Sequence, residues 1–182
     1  VLMPTGGGKS LCFQIPALMM KGMTIVITPL ISLMKDQVMR LKSLGINAEA
    51  IYSGMTKMDI HRILDSCLTG KIKLLYLSPE RINTSLFKEF ANGLHVDLIV
   101  ADEAHCISQW GYDFRPAYLK IREARKIFPK ARIMALTASA TPEVVNDIME
   151  HLSIGDAAIF KLSFLRSNLS YVCSNTTDKR FE

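Results

Sequence analysis

Five short aliphatic or β-branched runs, separated by longer segments of helical period, limit most strongly what this chain can fold into. The runs lie at residues 24–28, 48–52, 73–77, 97–101 and 132–136. Such alternation predicts an α/β domain, a mostly parallel sheet with helices on both faces, because parallel strands need crossover connections that cover the sheet. The helix after the first run is expected to bury Leu30, Leu33, Met34, Val38, Leu41 and Leu44. The one after Thr141 should bury Val144, Val145, Ile148, Met149 and Leu152. Leu11, Ile15, Leu18 and Met19 form a third apolar pattern. Three Ser/Thr-Pro pairs, at Thr28, Ser78 and Thr141, read as N-caps followed by proline in the first helical turn.

Polar residues collect just past the strand ends: 5–10, Thr28, Ser53-Gly54, Ser78, Asp102-Glu103 and 137–141. Open α/β sheets bind ligands outside the carboxyl ends of their strands, so one edge is expected to carry the chemistry. At that edge Pro4 is followed by Thr5, Gly6, Gly7, Gly8, Lys9 and Ser10, then by a helical pattern. Successive glycines let backbone N–H groups close around phosphate oxygens. Lys9 can reach the outer phosphates and the Ser10 hydroxyl can ligate magnesium. The spacing is nearly that of a Walker A loop, with Met3 where the leading glycine would stand.

Asp102 and Glu103 end an apolar run, where unpaired carboxylates are expensive. A magnesium ion at Asp102 and a water activated by Glu103 account for both, so the pair together with the glycine loop implies nucleotide hydrolysis. Capping by Asp102 is the plainer alternative and leaves Glu103 unexplained.

Further along, Trp110, Tyr112, Phe114 and Tyr118 lead into a basic stretch, Arg115 to Arg132, with seven cations against the single acid Glu123. Net charge is only +5, so the rest of the chain is close to neutral. Aromatics beside a basic groove suit single-stranded nucleic acid. Solvated surface remains open for Lys120, Lys126 and Lys130, and a core anchor remains open for Trp110. The four cysteines form no C-x-x-C pair, which suggests neither a zinc site nor a disulfide framework. With no apolar run of membrane-spanning length and no signal-like start, the chain reads as soluble and intracellular, cytoplasmic or nuclear, not secreted.

The stretch 102–116 reads DEAHCISQWGYDFRP and closely resembles the acidic motif and aromatic-rich loop of RecQ helicases. MPTGGGKSLC at 3–12, TPLISLMKDQV at 28–38, LLYLSPER at 74–81 and MALTASAT at 134–141 are similar to further motifs of that family. The resemblance covers about residues 1–171. It implies a RecA-like lobe over 1–172, truncated ahead of the phosphate loop, with 173–182 leading to a second RecA-like lobe. It also implies ATP and magnesium as cofactors, single-stranded and duplex DNA as partners, no membrane, a monomer, and 3′ to 5′ movement. Pro29, Leu30, Ser32 and Lys35 would touch DNA together with Trp110, Phe114 and Arg115. His105, Gln109, Thr137, Ser139 and Thr141 would couple nucleotide to strand, Gln109 carrying the signal to Glu103. Tyr112 stands where many relatives carry histidine. SFLRSN at 163–168 departs from the family's pattern at Leu165 and Ser167.

Overall fold

The computed structural model describes residues 1–163 and 169–170. The substituted motif at 163–168, except Ser163, and the connector at 173–182 lie outside the described residues. Five parallel strands form one sheet: β1 (Met23–Ile27), β2 (Ala48–Ile51), β3 (Leu74–Leu77), β4 (Val96–Ala101) and β5 (Arg132–Ala135), in the order β2-β3-β1-β4-β5. Every residue of β1 is buried, as a central strand covered on both faces requires. The segment at 1–3 extends this order past β5. Leu2 bridges in parallel to Thr137 on one side and to Lys161 on the other. The phosphate loop therefore leaves from a position beside β5.

Successive side chains on a strand point to opposite faces, and the core divides accordingly. Val26, Tyr76, Leu98 and Val100 pack under α1 (Lys9–Met19) and α2 (Ile31–Ser43). Ile25, Ile27, Leu75, Leu77 and Ile99 pack under α3 (Lys57–Leu68), α4 (Ser85–Ala91), α5 (Ile121–Ile127) and α6 (Pro142–Leu152). Among the described residues no helix is long and apolar enough to cross a membrane.

Several sequence expectations are corrected here. In α1 the buried residues are Phe13 and Ala17, while Leu11, Ile15, Leu18 and Met19 are exposed. The phosphate loop fixes the rotation of this short helix, and the apolar stripe is left facing outward. In α2 the buried line is Met34, Val38 and Leu41, with Leu30 and Leu44 exposed at its two ends. In α6, Val144, Ile148 and Leu152 are buried as expected, and Val145 and Met149 are half-buried.

Thr141 does cap α6, accepting the Val144 N–H. Thr28 does not cap α2. It continues the line of β1, donating its N–H to Leu77 O at 3.2 Å, and the helix begins only at Ile31. Its fully buried hydroxyl has no partner among the described residues. Ser78 precedes a 3₁₀ turn, Pro79–Asn83, and spends its hydroxyl on the Glu80 carboxylate rather than on a cap.

At the opposite edge of the sheet, Gly22 N–H donates to Asp97 Oδ2 at 2.6 Å. A Cβ there would sit 2.7 Å from His95 O and 2.8 Å from the Asp97 carboxyl carbon. Gly22→Ala is therefore expected to lower stability by about 1–3 kcal/mol, as overpacking does. Urea unfolding of both proteins checks this, and an unchanged midpoint would contradict it.

Candidate nucleotide site and strand-facing loop

The phosphate loop adopts the backbone its glycines permit. Gly6 and Gly8 lie in the left-handed region at φ 81° and 87°. At Gly7 a Cβ would meet Pro4 O at 2.9 Å, so the close turn there also needs glycine. Gly8 is the N-cap of α1 and supplies no side-chain acceptor; its carbonyl takes the Leu11 N–H, which leaves the Lys9 and Ser10 N–H groups to meet an anion. They border a cavity of about 510 Å³ that Thr5, Lys9, Ser10, Asp102 and Glu103 also line. Its size suits a nucleotide-sized ligand.

Lys9 and Glu103, far apart in the chain, meet in this cavity with Nζ 3.2 Å from Oε1. Glu103 is one of two described non-glycine residues with positive φ, at 48°, as the chain turns sharply off β4. Such backbone strain persists where surrounding structure holds it, and it is concentrated at functional sites. Asp102 is only 4% exposed. Burial, reinforced by the neighbouring Glu103 charge, pushes its carboxyl up to about 6. A desolvated carboxyl that lines the same open cavity as the Ser10 hydroxyl fits a hard divalent cation, which would favour its ionised form. Sequence reasoning missed two supports. Tyr118, fully buried, donates its hydroxyl to Asp102 O at 2.7 Å. Gln37 accepts from the Tyr76 hydroxyl at 2.9 Å and stands near Asp102, where it favours the ionised carboxyl. Their helical or aromatic neighbours gave no hint of this, because the contacts join different elements.

The 3₁₀ turn Ala104–Ile107 carries His105 against Thr137, with Nδ1 2.9 Å from Oγ1, and against Glu103 Oε2 at 3.4 Å. Burial holds the imidazole below its usual range, favouring the neutral ring. Tyr112 stacks on it, centroids 4.9 Å apart and planes 17° from parallel. Thr137 in turn bonds the backbone of Ser139, so His105, Thr137 and Ser139 form one chain behind Glu103. Thr141 contributes as the cap of α6.

Gln109 is exposed, while Glu103 accepts a hydrogen bond from Lys9 and lies 3.4 Å from His105 Nδ1. Trp110 is 77% exposed, which removes the core-anchor reading, and Phe114 is half-buried. Arg115 is committed within the protein: it donates to Asp113 Oδ2 at 3.1 and 3.0 Å and to Pro29 O at 3.3 Å. That bond ties the aromatic loop to the segment holding Pro29, Leu30, Ser32 and Lys35. Leu30, Ser32 and Lys35 are exposed, and Lys35 lies 4.8 Å from the Tyr52 ring centroid.

The pattern that defines the DEAD/DEAH box helicases matches residues 1–148. The chain is 51% identical over 171 residues to the ATP-dependent DNA helicase RecQ of Bacillus subtilis, covering 93% of this chain and 29% of that protein. With the RecQ of Pasteurella multocida it is 46% identical, covering 94% and 27%. It thus spans less than a third of the length of these relatives. Among solved structures, the helicase domain of Pyrococcus furiosus Hef superposes with a TM-score of 0.59 at 23% identity, over 84% of this chain and 32% of that one, a likeness of fold. The five-stranded parallel sheet, the glycine loop and the acidic pair agree with these matches: the chain is a RecA-like α/β domain that is similar to RecQ helicases over nearly its whole length, and it belongs to the DEAD/DEAH box helicases.

Proposed function

We propose that this chain is the ATP-binding and hydrolysing lobe of a RecQ-type DNA helicase, which moves 3′ to 5′ on single-stranded DNA and unwinds duplex with the help of a second RecA-like lobe. The observation that carries the reading is the convergence of Lys9, Ser10, Asp102 and Glu103 on one cavity beside the free N–H groups of α1. The loop backbone and Lys9 bind the phosphates. An arriving triphosphate competes with Glu103 for Lys9, and the released carboxylate can then orient and deprotonate the attacking water. Ser10 and Asp102 would hold magnesium, which neutralises charge on the phosphate oxygens when bound. His105 and Thr137 keep Glu103 in register with the strand-facing loop.

An RNA-directed lobe is the competing reading, and the QWGYDFRP element after the acidic motif speaks against it. Comparing ATPase stimulation by single-stranded DNA and by RNA, in a protein carrying this chain beside its second lobe, separates the two. Greater stimulation by RNA would overturn our reading. The 182-residue chain alone is expected to bind magnesium nucleotide weakly, to lose that binding in Lys9→Ala, and to unwind no duplex. Titration with a fluorescent nucleotide and a strand-displacement assay check this.

A further inference from the structure

We propose that Asp147 is a positioning residue for the aromatic loop: it holds the loop's base on α6 through Ser108, so that nucleotide at the Lys9–Glu103 site and a strand against Trp110 influence one another. The proposal rests on the reading of the chain as a strand-stimulated ATPase lobe.

Ser108 follows the 3₁₀ turn Ala104–Ile107 and is fully buried. Its hydroxyl donates to Asp147 Oδ2 at 2.5 Å and accepts the Trp110 N–H at 3.1 Å. A hydroxyl has one proton to give, so donation to Asp147 leaves its lone pairs facing the loop amide. Asp147 thereby sets the direction from which Trp110 is held. The loop cannot relax freely around this point. Gly111 N–H bonds Ser108 O at 3.1 Å, and a Cβ on Gly111 would lie 2.6 Å from His105 O.

The other end of the same turn is fixed by the His105–Thr137 bond, and Thr137 lies four residues before the Thr141 cap of α6. Both ends of one short turn are therefore tied to one continuous segment, at Thr137 and at Asp147. Val144 and Ile148 anchor that segment in the core on either side of Asp147 in sequence. A turn pinned twice transmits a displacement of Ser108 to His105, which touches Glu103. Without the Asp147 acceptor only the His105 end is held, and the position of Trp110 no longer depends on α6.

Coupling between two bound ligands is reciprocal, so the link can be read from either end. Trp110 is the chain's single tryptophan, and its fluorescence reports on the loop alone. A nonhydrolysable ATP analogue with magnesium is expected to change that fluorescence in the 182-residue chain. Asp147→Ala and Ser108→Ala should each shrink the change by about fivefold or more, the lower end of typical coupling, with nucleotide affinity retained. Asp147→Asn keeps an acceptor oxygen for Ser108 and should recover most of the change. In the protein with its second lobe, Asp147→Ala should reduce single-stranded DNA stimulation by a similar factor at unchanged basal kcat.

The proposal is overturned by a parental chain whose Trp110 does not respond to nucleotide, or by an Asp147→Ala variant with the parental response. Proportional loss of Tm, basal rate and stimulation, or an Asn variant no better than Ala, also overturns it, since a merely structural role predicts those. If the parental enzyme shows no strand stimulation, the functional reading fails, and the fluorescence arm then decides the role of Asp147 by itself.

Discussion

Glu103→Gln is expected to lower kcat for ATP hydrolysis by about 10²–10⁴, the range lost when a general base is removed, while nucleotide binding survives. The amide keeps the shape of the side chain, and the His105–Thr137 bond behind it is untouched, so the loop should hold. What it cannot do is accept the proton of the attacking water. Lys9, which now faces Glu103 Oε1 at 3.2 Å, loses an anionic competitor for the phosphates, and affinity should stay equal or rise. Lys9→Ala gives the complementary phenotype, weak binding first. Phosphate release at saturating ATP, measured beside the Kd of a fluorescent nucleotide, distinguishes them. A Glu103→Gln enzyme that turns over at the parental rate would show that another group is the base.

Trp110→Ala is expected to leave Tm and basal ATPase near their parental values while sharply reducing stimulation by single-stranded DNA and the rate of unwinding. The ring is too exposed for its loss to open a cavity in the core. Stacking contributes roughly 1–3 kcal/mol per base, and on the proposed reading the exposed Leu30, Ser32 and Lys35 also meet the strand, so affinity should fall only in part. Coupling should fall further, because Trp110 N–H is bonded to the Ser108 hydroxyl at the base of the turn that carries His105. Basal ATPase, stimulated ATPase and melting temperature on the same variant decide it. A uniform decline in all three would refute a sensing role for the loop.

Arg115→Ala differs in kind from a phosphate-contact substitution. Its guanidinium already holds Asp113 and the Pro29 carbonyl, so its removal would loosen the loop from the 28–32 segment in the absence of any strand. The Cys106 thiol sits in the same cluster, 3.7 Å from Asp113, and burial pushes it up to about 12. It stays a protonated donor there.

How much of this was legible in the sequence depended on the range of the interactions. Each of the five strands lies within one residue of the run that predicted it, because a buried parallel strand needs a continuous aliphatic stretch and turns bound it on both sides. Phosphate loop and acidic pair were equally plain. Their chemistry requires particular residues at short, fixed spacings, and a strand and a helix N-terminus present them at one edge. The outward face of α1 was not legible, because periodicity reveals that a stripe is apolar, not what lies against it. Thr28 was misread as a cap because a Thr-Pro pair suits a helix start, while the hydrogen bond from Thr28 N–H to Leu77 O keeps it in the sheet.

The sequence by itself thus determined the class of fold and set out a glycine loop, an acidic pair and an aromatic loop, all written in local pattern. Only the tertiary structure decided which groups act on one another: Lys9 on Glu103, Tyr118 and Gln37 on Asp102, Thr137 on His105, Asp147 on Ser108 and Arg115 on Pro29. Those pairs are separated by 16 to 94 residues, and their meeting depends on the order β2-β3-β1-β4-β5. That order brings the carboxyl ends of β1, β4 and β5 side by side, and a one-dimensional pattern of apolar residues does not encode it.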